Sequence, residues 1–282
     1  MASIPRDARF DSTLALLKEG YEFISNGCRR YRSDIFETRL MLSRAYCVLG
    51  EEAARMFYEP GRFTRRGAIP PTALRLLQDK GSVATLDGDA HRHRKAMFLS
   101  LMAPESVDRL TDAFAREWQA RLDVWERAGA VVLFPAVTGI LTRAVCAWAG
   151  VPLTDADAER RTREFAAMID GAGAFGPRNW WGMMQRSRTE RWARDVIARI
   201  RAHELEPPLG SAAHVIAWHR EANGELLDPK IAAVELINVL RPTVAVDRYV
   251  TFAALALHPH PASRERLARD DDAYLDAFVQ EV

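Results

Sequence analysis

The sequence is short of the features that fix a protein's class at a glance. It holds three cysteines in 282 residues, Cys28, Cys47 and Cys146. They make no CxxC pair and no zinc spacing, so a disulfide scaffold and a zinc module are excluded. They are expected to be buried, reduced thiols, which points to a cytoplasmic home. No run of about 18 apolar residues occurs, so no membrane span is expected. The opening MASIPRDARFD lacks the apolar stretch of a signal peptide. An excess of one charge is also missing: 39 Lys and Arg stand against 38 Asp and Glu. The basic residues are not massed on one segment, so no nucleic-acid partner is expected. No repeat and no low-complexity linker interrupts the chain. It is long enough for a sizeable core, in one large domain or two small ones.

What is present is mostly helical. Ser12 to about Ser25 has an amphipathic pattern. Ile35 to Leu49, with its imperfect alternation before Gly50, is the best strand region. EEAARMFY predicts a short helix. GRFTRRGAIPPTALRLLQDKGSVATLDG has no clear period and reads as an ordered loop lining a site. DAHRHRKAMFLSLM and the segment from Pro104 to Gly129 predict two helices. FPAVTGILTRAVCAWAG is apolar nearly all round and should be buried. TDAD at 154–157 opens another helix with a capping box. That helix should end in a Gly- and aromatic-rich loop, DGAGAFGPRNWWG. SRTERWARDVIARIRAHEL and SAAHVIAWHREA follow. Asp228 and Pro229 then open a long helix to about His258. A last helix runs from about Asp272 without a stop signal.

One stretch conflicts with burial. LINVLRPTVAVDRYV sets Arg241 and Pro242 side by side inside an apolar helix. A mid-helix proline costs about 3 kcal/mol. A buried arginine needs an anion. Asn238, Arg241, Ala245 and Arg248 are three, four and three apart, so they share a face. Two readings stand. Arg241 either pairs with an acid from another helix, or waits beside a loosened turn for a ligand's carboxylate or phosphate.

AAVELINVLRPTVAV resembles the central distal helix of a cytochrome P-450, within the bacterial fatty-acid peroxygenase branch. GRFTRRGAIP, KGSVATLDGDAHRHRKAMFLSLM, WAGVPL, DGAGAFGPRNW and FVQEV resemble further segments of that family, in family order. In this branch Arg-Pro replaces the usual acid-alcohol pair. The resemblance implies a mainly α cytochrome P-450 fold with a small N-terminal β-sheet, with residues 1–282 forming the N-terminal two-thirds of a single domain. It implies heme b as cofactor, with fatty acid and hydrogen peroxide as substrates and no redox partner protein. Arg241 would hold the fatty acid's carboxylate, which would act as acid-base on the peroxide. Pro242 would shape the turn, and Ala245 would leave room over the haem. Arg65, His91 and Lys95 would meet the haem propionates. HRHRK could equally be a solvated basic face. His93 is expected at the surface. Leu77, Gln78, Ala84, Ile169, Ala172 and Phe175 match positions lining the acyl channel, or are ordinary packing. Gln78 stands where relatives often have an aromatic, and Ala84 where they have Gln or His.

None of the three cysteines sits in the family's Gly-rich haem-thiolate loop. Glu281 matches the Glu of its Glu-x-x-Arg pair, whose Arg would be the second residue past Val282. The sequence is therefore expected to stop before the loop that supplies the iron's cysteine thiolate. The 282-residue chain alone is expected to be inactive. The expected activity of the intact protein is hydroxylation at the alpha or beta carbon. The alternatives are decarboxylation to a terminal alkene, or a haem-free helical acyl-binding module.

Overall fold

The computed structural model describes residues 3–269 and 272–282. It is mainly helical with one two-stranded sheet, as the sequence implies. The chain forms two compact units, Met1–Thr64 and Arg65–Val282.

In the first unit the expected helix is found in two pieces. α1 (Thr13–Glu19) and α2 (Phe23–Tyr31) are joined by a 3-10 turn over Gly20–Glu22. Gly20 sits at φ 57, and its left-handed backbone stops the α-helical ladder. The expected strand region is an antiparallel hairpin of β1 (Ile35–Leu40) and β2 (Ser43–Val48), with Ile35 opposite Val48. Its two turn residues, Met41 and Leu42, lie at φ 52 and 63. That is the twist a two-residue hairpin needs, taken here without Gly or Asn. Neighbouring side chains hold it. The Met41 N–H donates to Thr13 Oγ1 (2.6 Å) and the Leu42 N–H to Asp11 Oδ2 (2.7 Å). Phe23, Phe36, Cys28 and Cys47 form a small core. α3 (Glu51–Tyr58) follows.

The second unit opens with a correction. The stretch read as irregular contains α4 (Pro71–Leu77) and a 3-10 turn at Val83–Thr85. Pro71 at the first helical position presets φ for α4, and a seven-residue helix is too short to show a period. Next come α5 (Gly88–Leu101), α6 (Pro104–Ala128) and α7 (Leu133–Ala149). Gly129 ends α6 at φ 70. α8 (Asp155–Gly171) is capped by Thr154, which accepts from the Asp157 N–H. α9 (Pro177–Arg201) starts about ten residues before the expected point, because Pro177 again presets the first turn. The aromatic-rich loop is thus short, and Trp180 and Trp181 are helical. α10 (Ala212–Ala217) leads to α11 (Pro229–Val244) and α12 (Asp247–Leu257), then α13 (Pro261–Leu267) and α14 (Asp272–Glu281).

The helix expected to reach His258 is broken at Ala245 and Val246. Pro242 has no N–H for the Asn238 carbonyl. The Val246 N–H then bonds Thr243 O in a 3-10 step, and the chain restarts as α12. α7 and α11 carry the centre of the core, including Val145, Cys146, Leu236, Ile237 and Leu240.

Leu76, at the end of α4, is fully buried between α8 and α9. Two glycines make its space. A Cβ on Gly171 would lie 3.1 Å from Leu76 Cδ2. A Cβ on Gly182 would lie 2.9 Å from the Ala167 carbonyl oxygen, which is backbone and cannot swing aside. Gly182→Ala should therefore destabilise the protein by about 1–3 kcal/mol through overpacking. A thermal melt checks this. An unchanged Tm would show slack between the helices.

Candidate functional site

The buried run of α11 contains two charged side chains and one amide on a single face: Glu235, Asn238 and Arg241. They face the segment that follows α4. Glu235 Oε1 accepts the Val83 N–H (2.7 Å) and Arg94 Nη1 (2.9 Å). Glu235 Oε2 accepts Asn238 Nδ2 (3.0 Å). Asn238 Nδ2 also donates to Gln78 O (3.4 Å), and Arg241 Nη2 to Leu77 O (3.0 Å). From α9, Arg186 Nη1 donates to Leu76 O (3.3 Å). The last carbonyls of a helix lack intrahelical donors. Here two guanidinium groups supply them for α4. Residues 76–83 are thereby strapped to α9 and α11.

Burial, acting first, raises the Glu235 pKa above the ordinary carboxylate value, against the Asn238, Val83 and Arg94 bonds that lower it. Arg94, almost fully buried on α5, shares its charge between Glu235 and Glu221. Arg241 differs. It is 6% exposed, yet among the described residues it forms no ion pair, and its Nε has no hydrogen-bond partner. Burial first, then the Arg186 guanidinium, pushes its pKa down to about 10. It is still a cation at neutral pH. The reading in which Arg241 pairs with an acid from another helix is not what the fold does. The acid on this face, Glu235, is bound to Arg94 instead.

The other expected site residues fall as follows. Leu77 and Gln78 end α4, are half-buried, and meet Arg241 and Asn238 through their carbonyls. Ala84 is half-buried in the 3-10 turn, next to Val83. Ile169 and Ala172 are half-buried against the main core, whereas Phe175 is 60% exposed. Pro242 is exposed and Ala245 half-buried at the end of α11. Arg248 leaves the shared face for Asp170 (2.6 Å) and Asp247 (3.1 Å).

His91 and Lys95 lie one turn apart on α5. Burial, then the charges of Arg65 and Lys95, lower the His91 pKa, with Asp87 opposing. Arg65 is exposed and its Nη1 lies 3.7 Å from Asp87 Oδ1. Two cations with an imidazole whose protonation they oppose fit an anionic group such as the propionates of a haem. The cysteines do not fit the thiolate side of such a group. Cys28, Cys47 and Cys146 are buried, and burial raises their pKa values, that of Cys146 to about 12. His93, expected at the surface, is exposed with Nε2 2.8 Å from Arg220 O.

Sequence reasoning missed Glu235, Arg94 and Arg186. A lone Glu within AAVELINVL was a readable signal. Arg94 was hidden in the HRHRK run, and its partner is 141 residues away.

Glu235→Ala would leave Arg94 half-compensated in the core and free the Val83 N–H. A loss of about 3–5 kcal/mol is expected. Proteolysis should begin within 76–83 below the global melt. Glu235→Gln keeps an acceptor for Val83 and should lose less. It should also remove one pH dependence. A carboxyl with a raised folded pKa contributes stability below its unfolded pKa, and that contribution is lost as pH rises through the folded value. Equal stability of Glu235→Ala and wild type would contradict the strap.

No protein-family model matches this chain. Solved structures do. Cytochrome P450SP alpha (CYP152B1) in complex with (R)-ibuprophen matches with a TM-score of 0.92 and 45% identity, over 96% of this chain and 66% of that one. Cytochrome P450EX alpha (CYP152N1) with myristic acid matches with a TM-score of 0.90 and 40% identity, over 96% and 65%. A variant of cytochrome P450 OleT in complex with arachidonic acid matches with a TM-score of 0.90 and 30% identity, over 96% and 65%. The chain spans just under two thirds of the length of these solved chains. Similarity of this level runs along nearly all of its residues: the chain belongs to the cytochrome P450 family, in its CYP152 fatty-acid peroxygenase branch.

Proposed function

We propose that Arg241 binds the carboxylate of a fatty acid. The intact protein then uses hydrogen peroxide to hydroxylate that acid at the alpha or beta carbon, as a haem-thiolate peroxygenase. The observation that carries this reading is a buried guanidinium with, among the described residues, no ion pair and an unpartnered Nε. Two of the solved relatives are complexes with fatty acids, which supports the substrate class.

A guanidinium fork fixes both the position and the plane of a carboxylate. Leu77 O accepts from Nη2 and helps set the orientation of the guanidinium. The bound carboxylate then serves as the acid-base group toward peroxide, since Arg241 cannot release a proton at neutral pH. Pro242 loosens the helical turn beside it, and Ala245, one turn on, keeps space open. Arg65, His91 and Lys95 would hold the haem propionates. The haem, when bound, supplies the oxidation of the C–H bond by peroxide, without a redox partner protein. Leu77, Gln78, Ala84, Ile169, Ala172 and Phe175 would line the acyl path.

Two experiments test this in the haem-loaded enzyme. Arg241→Ala removes a charge-assisted bond of about 1.5–3 kcal/mol. KM for a long-chain fatty acid should rise, and peroxide-driven turnover should fall further, because the carboxylate is no longer placed. Arg241→Lys should recover part of the loss, since a point charge does not fix the plane. Unchanged turnover in Arg241→Ala would overturn the assignment.

The second experiment concerns the product. Decarboxylation to a terminal alkene is the competing outcome. Ala84 has no donor or acceptor, so it cannot relay a proton or bind the carboxylate. Gas chromatography should show mainly 2- or 3-hydroxy acid, and Ala84→His should raise the alkene share. Mainly alkene from the wild type would contradict the role given to Ala84.

A further inference from the structure

A groove of about 610 Å³ runs between α8 and α9 and uses none of the residues assigned above. Its volume suits a small molecule. Arginines dominate it: Arg160 and Arg161 from α8, Arg188 and Arg191 from α9. Trp181 and Trp192 add aromatic surface. Arg161 is 4% exposed, stacks 5.0 Å from the Trp192 ring centre, and has an Nε without a hydrogen-bond partner. Its Nη1 is 2.8 Å from Glu164 Oε2, which also accepts from Thr189 Oγ1. Glu164 is therefore shared, and Asp157 is the other acid lining the groove. Arg188 and Arg191 are exposed and, among the described residues, bind only neutral acceptors, Gln185 Oε1 (3.3 Å) and Ser187 O (3.4 Å). A core helix pair thus keeps a buried, under-satisfied guanidinium in the wall of a cationic groove. Burial lowers the Arg161 pKa first, Glu164 opposes this and the Arg160 charge adds to it, so an anion entering the groove offsets both costs by charge.

We propose that this groove is a binding site for a phosphate group carried on a small organic molecule, with Arg161 as its buried anchor. Several planar forks around one cavity match the oxygens of a phosphate dianion better than the two of a single carboxylate. The indole of Trp181, 53% exposed, offers a face for an attached apolar or aromatic part. The phosphate could belong to a free metabolite or to a lipid headgroup.

The test is calorimetry on the haem-loaded protein with sodium pyrophosphate, with co-sedimentation on phosphatidic-acid vesicles in the same buffer. Saturable binding is expected, weakened about tenfold by Arg161→Gln and by Arg188→Gln. Arg55→Gln, on exposed α3, should leave it unchanged. Arg188→Gln and Arg191→Gln alter exposed residues, so they decide the matter if Arg161→Gln does not fold. Pyrophosphate binding without vesicle binding assigns the site to free phosphates. Vesicle binding alone, lost in the same variants, assigns it to a headgroup. No binding of either probe, or binding that ignores all three variants, would overturn the proposal.

Discussion

The site depends on one buried carboxylate. Glu235 lies in the apolar run of α11 with no exposure to water, where an uncompensated charge would cost several kcal/mol. Its oxygens take three donors from three directions: the Val83 N–H, Arg94 and Asn238. Each bond crosses to a different part of the fold or braces α11 itself. The carboxylate therefore does more than neutralise Arg94. It fixes the segment after α4 against the helix that carries Arg241.

Arg241 follows from that arrangement. Glu235 is occupied by Arg94, and Arg186, on the neighbouring helix, adds repulsion. Among the described residues, what remains for Arg241 is one carbonyl, Leu77 O. That bond orients the guanidinium and leaves its charge unmet. Pro242 then ends the regular α11 ladder, and the chain restarts three residues after Val244 as α12. A cation, a broken turn and the small Ala245 thus come together because a proline and a buried acid sit one turn either side of Asn238.

Much of this was legible in the sequence, though unevenly. α7 stands where its apolar run puts it, and α11 starts where Asp228 and Pro229 put it, though it ends well short of His258. The Arg241-Pro242 pair announced a site by violating burial. Other features carried no local signal. The Met41–Leu42 turn lacks Gly and Asn, and is held by Asp11 and Thr13 from α1's start. α4 is too brief to show a period. α9 begins among glycines and tryptophans that read as loop. The Glu235–Arg94 pair joins residues 141 apart, so spacing could not reveal it. Phe175, matched to the acyl path by resemblance, is 60% exposed, so its part in lining a channel rests on the resemblance alone.

The central claim is that a buried, unpaired Arg241 exists to hold a carboxylate. The most direct measurement is infrared difference spectroscopy of a fatty acid labelled with carbon-13 at the carboxyl, bound to the protein and titrated with acid. Beside Arg241 the bound carboxyl should stay ionised well below the pH at which the free acid takes up its proton. That displacement should vanish in Arg241→Gln. The same titration in both proteins would contradict the account.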